Sequence, residues 1–273
     1  VTVVTKEKIK KTLTYVFLTV AALLSVFPLY WMFAAATNLS VDVSRGTLLP
    51  GTALISNFQN LRQNQDVLGA LANSFKYSIA LTLISLFVSS LAGYGFEIYH
   101  DKAKDTILNI ILLAMMIPFA ATMIPLFKMF STARLLNSTL GFILPTLSTP
   151  FLIMLFRQSA RAFPHDIIEA ARIDGLKEFQ IFYRMFVPTM RSTYAAAMVI
   201  TFMNAWNSYL WPKVIMTDKK SITMPMMVAN LKEGYVTDYG MLMLGVLLST
   251  IPTVIIFFAL QKRFTEGITG SVK

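Results

Sequence analysis

A chain of 273 residues with 55% hydrophobic and only 14% charged side chains does not fit a soluble domain, which carries roughly 25% charge. The absence of cysteine excludes a disulfide framework and a thiolate metal site. The net charge of +10 would point to nucleic acid in a soluble protein, but here the charges flank long apolar runs. They read as the Lys and Arg bias of membrane loops, and no nucleic-acid partner is expected.

Lys6, Lys8, Lys10 and Lys11 precede an apolar run from about Leu13 to Ala36. It exceeds the roughly 20 residues needed to span a bilayer. No small-residue cleavage site with a soluble domain behind it follows, so a transmembrane helix is predicted rather than a signal peptide. Further apolar runs at about 73–96, 107–128, 139–157, 193–212 and 240–261 complete six predicted spans. They lack the alternation of barrel strands, so an all-α membrane protein is expected. The expected organisation is a cytoplasmic N-terminus at 1–12, a six-helix transmembrane domain at 13–261 and a cytoplasmic tail at 262–273. The larger part of the 24 Lys and Arg residues then falls in the cytoplasmic segments 1–12, 97–106, 158–192 and 262–273, or at Arg157 beside them. That distribution favours both termini inside.

Pro28, Pro118, Pro125, Pro145, Pro150, Pro212 and Pro252 fall within or beside the spans. Each removes a backbone donor and bends or breaks a helix. Gly93 and Gly95 in AGYGF permit close helix approach.

The segment 158–192 is unlike the rest. Pro164 and Asp166 mark a helix start, with the acid near the positive end of the dipole. Ile167, Ala170, Ala171 and Asp174 lie close to one face, and Gly175 stops or turns the helix. A second amphipathic stretch sets Phe179, Phe182 and Phe186 on one side. Glu169, Asp174 and Glu178 interleave with Arg172 and Lys177, whereas a lipid-binding helix has a basic polar face. Small Ala170 and Ala171 allow another surface to come close. A protein dock and an interfacial helix are both compatible with these residues.

The run EAARIDGLKEFQIFYRMFVP, Glu169 to Pro188, resembles the EAA loop of the inner-membrane subunits of binding-protein-dependent ABC importers. Glu169, Ala170, Ala171, Asp174, Gly175 and Pro188 match that signature. Leu176 stands where Ala is usual, and Ser192 where a second Pro often stands. FMNAWNSYLWP, Phe202 to Pro212, and the C-terminal QKRFTEGITGSVK are similar to the same family, nearest its maltose-type second permease and its multiple-sugar and lactose-type members. The resemblance implies a type I ABC importer permease fold and import of disaccharides or oligosaccharides. It implies a second homologous permease, two copies of a cytoplasmic ABC ATPase, an extracellular or periplasmic sugar-binding protein and a bacterial cell membrane around them. Glu169, Ala170, Ala171, Asp174 and Gly175 would form the coupling helix that rests on the ATPase. Asp174 would cap the following helix, and the tail after Lys262 would also lie against the ATPase. ATP and Mg²⁺ would be bound by that partner; this chain has no GxxxxGK(S/T) phosphate loop, and neither cofactor, metal nor catalytic residue is expected in it.

In the fifth predicted span Asn204, Asn207 and Trp211 lie near one face, with Trp206 and Tyr209 in an adjoining stripe. Amides that bond hydroxyls and rings that stack on pyranose faces suit a translocation path; helix packing and an interfacial belt account for the same residues and are the favoured reading. The loop 213–239 is expected outside. It resembles the family loop that reaches the binding protein, with Met224, Met226 and Met227 as adaptable apolar surface.

Two rival readings remain. Asp101 and Asp105 form a DxxxD pair that in a membrane enzyme would hold Mg²⁺, but Lys102 and Lys104 compete, and His100 and His165 form no HExxH. An ion-coupled secondary carrier would need intramembrane carboxylates, and the predicted span interiors contain none.

Overall fold

The computed structural model describes residues 2–233 and 237–269, with side-chain surroundings for 7–233 and 237–261. The described elements are all helical, and none is a strand. Among the described residues three helices are long and apolar enough to cross a membrane, and up to five spans result if each of two bent helix pairs is one. The chain divides into two compact units, Val1–Val67 with Met227–Thr250, and Leu68–Met226 with Ile251–Lys273.

The first unit is built on the 35-residue helix Thr2–Ala36. Its apolar side chains point outward on every side; Phe17, Leu23 and Leu24 are all exposed. A helix apolar all round has its solvent in lipid. Among its described side chains the C-terminal end is the packed part, at Ala34, Ala35 and Ala36. The carbonyls left over at a helix end need donors, and an asparagine knot supplies them. Asn57 Nδ2 donates to Ala36 O and Asn38 O, both at 2.9 Å. Asn38 Nδ2 donates to Ala34 O at 2.9 Å and Leu49 O at 2.8 Å. Gly240 lies against this knot, where a Cβ would stand 2.5 Å from Asn38 O.

The second unit is organised by the 32-residue helix Val67–Ile98. Buried serines along it bond neighbouring backbone: Ser74 Oγ accepts from Met224 N at 2.8 Å, and Ser85 Oγ donates to Leu147 O at 2.5 Å. Lower down, Gly93 meets the helix Pro150–Arg161 so closely that a Cβ would lie 2.6 Å from Phe156 Cβ and 2.7 Å from Arg157 N. Close approach is the use expected of this glycine.

Three predicted spans are not single helices. The third is Lys102–Ala114 followed by Phe119–Thr132, bent by 99°. The first of these helices stops at Ala114, four residues before Pro118, whose ring would clash with that carbonyl. The fourth is bent by 58° between Thr139–Thr146 and Pro150–Arg161, and Thr146 again lies four residues before a proline. The fifth ends early: the helix Arg191–Trp206 stops, Asn207–Tyr209 is irregular, and Leu210–Ile215 restarts with Pro212 inside it. The heptad-like register of Asn204, Asn207 and Trp211 therefore does not persist through one helix. Met224, Met226 and Met227 also depart from expectation. All three are buried rather than displayed as adaptable surface, because their helix, Met224–Asn230, folds back into the protein.

Candidate functional site: the coupling segment and the span-five cavity

The EAA run forms the short helix His165–Ile173. Pro164 precedes it in an extended conformation and Asp166 lies in its first turn. It ends in a Schellman motif: Gly175 N bonds Arg172 O and Leu176 N bonds Ala171 O, each at 3.0 Å, with Gly175 at φ +80°. A side chain at that φ is strained, so glycine is required for the turn. Asp174 is the C-cap of this helix and does not cap the next one. Lys177 opens Glu178–Ile181, where its N–H is taken by Gln180 Oε1 at 2.8 Å. The expected role of Asp174 as an N-cap is corrected accordingly.

The helix has one buried and one exposed side. Ile168 and Ala171 are buried, against Phe163, Ile181, Phe182 and Phe186. Glu169, Ala170, Asp174 and Gly175 are exposed, with Ile167 partly so. Ile173 is 86% exposed, a bare branched side chain on the free side of the helix. Sequence reasoning missed it, because its exposure shows only once Ile168 and Ala171 are known to face inward. The five residues expected to couple thus divide into four on the surface and Ala171 beneath.

The buried side rests on the long helix through Tyr94, whose ring lies 5.4 Å from Phe182 and 4.9 Å from Phe186. Phe182–Phe186 forms a π-helical turn, a geometry that occurs often at functional sites. Outside this core Arg172 Nε donates to Glu178 Oε1 at 2.7 Å. The Arg172 guanidinium, with the Tyr99 hydroxyl second, holds the Glu178 carboxyl below its ordinary range. The brace ties the helix carrying Glu169 to the segment after the glycine turn.

Arg157, nearly buried, organises the other end. Its Nε donates to Glu97 Oε2 at 3.0 Å and its Nη2 to Asp105 Oδ1 at 2.6 Å. Arg161 Nε reaches the same Glu97 oxygen at 3.2 Å, and His100 Nε2 lies 2.8 Å from Asp105. A buried guanidinium needs such partners to offset lost hydration. Asp101 accepts from Lys104 N at 2.8 Å and pairs with the Lys104 ammonium. Both acids of the DxxxD pair are thus engaged by cations. Among the described residues no group of three or more His, Cys, Asp or Glu side chains is placed to hold a metal.

The five candidate path residues separate. Trp206 is 1% exposed, stacked on Phe202 at 5.7 Å and edge-on to Phe75 at 4.8 Å. Asn207 is exposed and its amide is turned back to Met203 O at 2.9 Å. Tyr209 is half-buried against the core around Tyr77 and Phe142. Asn204 and Trp211 come together at a cavity of about 180 Å³, lined also by Thr146, Thr149, Thr201 and Ser208. Trp211 Nε1 donates to Gly141 O at 3.0 Å, so the indole offers the cavity ring surface only.

The profile of the binding-protein-dependent transport system inner membrane component family matches residues 85–270, the stretch that holds the coupling segment and the cavity. The chain belongs to this family. The permease is 43% identical over 268 residues to the lactose transport system permease protein LacG of Rhizobium radiobacter, covering 98% of both chains. It is 37% identical over 202 residues to the arabinooligosaccharides transport system permease protein AraQ of Bacillus subtilis, covering 74% of this chain and 72% of that one. With the sn-glycerol-3-phosphate transport system permease protein UgpE of Escherichia coli the figures are 32% over 262 residues, 91% and 92%. A chain of a bacterial ABC transporter that imports the acidic polysaccharide alginate superposes with a TM-score of 0.83 at 22% identity, over 95% of this chain and 98% of that one, and shares the fold.

The permease is a membrane subunit of an ABC importer and not an enzyme, and the ion-coupled carrier falls away as a reading.

Proposed function

We propose that the permease forms the path of a disaccharide or oligosaccharide importer with a second, homologous permease. Two cytoplasmic ABC ATPases bind ATP and Mg²⁺ and drive it through the helix His165–Ile173. A sugar-binding protein delivers substrate from outside the bacterial cell membrane. The carbohydrate reading is supported by the relatives named for lactose and arabinooligosaccharides.

The observation that carries the coupling role is the two-faced helix. Ile168 and Ala171 are packed into an aromatic core, while Glu169, Ala170 and Asp174 are exposed around Ile173, which is 86% exposed. One face passes force to the long helix by way of Tyr94; the other offers a small apolar knob between two acids to a basic-rimmed cleft. Gly175 turns the chain back, and Arg172 with Glu178 keeps that turn stiff. A rigid lever of this kind biases the bundle only by the differential affinity of the ATPases for its two positions.

The proposed topology has six spans with both termini in the cytoplasm: the three long helices, the two bent pairs, and Arg191–Trp206 continued by Leu210–Ile215. The 16 residues of Arg191–Trp206 rise about 24 Å at 1.5 Å per residue, and the second piece supplies the remainder of a core about 30 Å thick. The basic residues of 1–12 and 158–192 support the inside assignment. The proposed divisions are 1–12, 13–261 with its coupling segment 158–192, and 262–273. Contact of the tail after Lys262 with the ATPase concerns side chains outside the described residues.

Because the chain has no cysteine, Glu169→Cys introduces a single thiol. In native membranes a short thiol crosslinker on it captures the nucleotide-hydrolysing subunit. Glu169→Arg abolishes sugar uptake and releases that subunit on purification while the permease stays in the membrane. Unchanged uptake by Glu169→Arg, with no crosslink from Glu169→Cys, contradicts the dock.

A further inference from the structure

Arg157 is 6% exposed, and its guanidinium is divided between carboxylates on two other helices. It stands on Pro150–Arg161; Glu97 stands near the end of Val67–Ile98, and Asp105 in the first turn of Lys102–Ala114. Because Nε bonds one carboxylate and Nη2 the other, a single rigid fork fixes both neighbours at once. The Glu97 side chain is only 16% exposed, whereas Arg161, which shares its oxygen, is half exposed. Exposed pairs hold little, so the Arg157 fork is the part that binds the three helices.

A buried ion pair is a poor source of stability, since apolar side chains of like volume often serve as well. What it adds is direction. Apolar contact is non-directional, and helices joined by it alone can slide. The contact of the coupling segment with the long helix is of that kind, Tyr94 against Phe182 and Phe186. The helix Lys102–Ala114 has less apolar hold. Its buried side chain is Leu108, while Ile107, Ile110 and Leu113 are exposed. One turn before Leu108, Asp105 meets Arg157. On the other two helices the fork also lies one turn from the coupling core: Tyr94 comes a turn before Glu97, and Ala160 a turn after Arg157, and both pack with Ile168 and Ala171. The core joins two helices to the coupling segment, and the fork adds the third.

We propose that Arg157 is a positioning residue for transport. It locks Val67–Ile98, Lys102–Ala114 and Pro150–Arg161 into one rigid body with the coupling segment, so that a displacement of His165–Ile173 moves all three without slip. This rests on the coupling role proposed above and adds the part that carries the motion into the bent third span. Without the guanidinium the lever still moves, and Lys102–Ala114 lags behind it.

The test uses the complete transporter in proteoliposomes, with cysteine-free partner permease, ATPases and binding protein. The chain has no cysteine, so Lys102→Cys with Arg184→Cys places two spin labels, one at the start of Lys102–Ala114 and one on the coupling segment; both positions are exposed. Pulsed electron resonance reads their separation without nucleotide and with ATP and vanadate. With Arg157 in place the separation is the same in both states. Arg157→Gln leaves the nucleotide-free separation unchanged and adds a shift of about 2 Å or more on trapping ATP, the scale of helix movements at interfaces. Asp105→Asn frees the third helix at the more exposed partner and keeps the Glu97 arm; it gives the same shift and decides the matter if Arg157→Gln does not assemble. Lys104→Gln breaks the outer pair with Asp101 on the same helix and shifts nothing. A wild-type separation that changes by this amount overturns the clamp. So do Arg157→Gln and Asp105→Asn variants that hold the separation fixed, an equal shift in Lys104→Gln, or broadening alike in both states, which marks a bond that only stabilises the fold. Capture of the ATPase from Glu169→Cys tests the coupling role separately. If capture fails, lever and clamp fall together; if it succeeds while the variants do not slip, the clamp alone falls.

Discussion

Gly175 shows how one residue controls this site. At φ +80° a β-branched side chain pays at least about 1–2 kcal/mol of left-handed strain, and the Schellman bonds that end the coupling helix weaken with it. Gly175→Val therefore leaves ATP hydrolysis running while uptake falls, measured as sugar moved per ATP in proteoliposomes; Gly175→Asn, which tolerates that conformation, retains coupling. Glycine in this position was legible from EAARIDG. The role of Asp174 was not, because an acid two or three residues before a helix and one at the end of another look alike in sequence. Ile173 was silent for a related reason. Isoleucine in an amphipathic stretch counts as core until packing places Ile168 and Ala171 on the inner face and leaves Ile173 out.

At the scale of elements, proline position explains where spans break. Helices end at Ala114 and Thr146, each four residues before a proline whose ring excludes that carbonyl, while Pro28, Pro125 and Pro252 lie inside continuous helices. Local sequence therefore flags every proline but does not decide which ones break a helix. Gly93 works between elements. Because a Cβ there would lie within 3 Å of Phe156 and of the backbone at Ile153 and Arg157, Gly93→Val forces the helices Val67–Ile98 and Pro150–Arg161 apart. Overpacking of this kind costs about 1–3 kcal/mol, seen as a lower Tm of the purified transporter in detergent. Gly95, where a Cβ meets nothing within 4 Å, accepts alanine without that loss. The motif AGYGF announced close packing, but only the structure distinguishes the glycine that packs from the one that does not.

For the whole molecule, the proposed lever has no motor of its own beside it in this sequence. The chain lacks a phosphate loop, and both acids of its most suggestive metal pair are engaged by cations: Asp105 by Arg157 and Asp101 by Lys104. Uptake therefore stops when ATP is depleted at constant membrane potential and survives an ionophore that collapses ion gradients while ATP is maintained. Transport that follows the ion gradient instead contradicts the division of labour.

Sequence alone determined the membrane class, the helical fold and the family, and marked the segment proposed to couple, because long apolar runs and a short family signature are local properties. Tertiary structure decided which face of the coupling helix is free, which bends divide the spans, and that Asn204 meets Thr146, Thr201 and Trp211 around one space while Trp206 is sealed in the core. Those outcomes depend on side chains distant in sequence competing for the same volume and the same hydrogen bonds, and no local pattern records who wins.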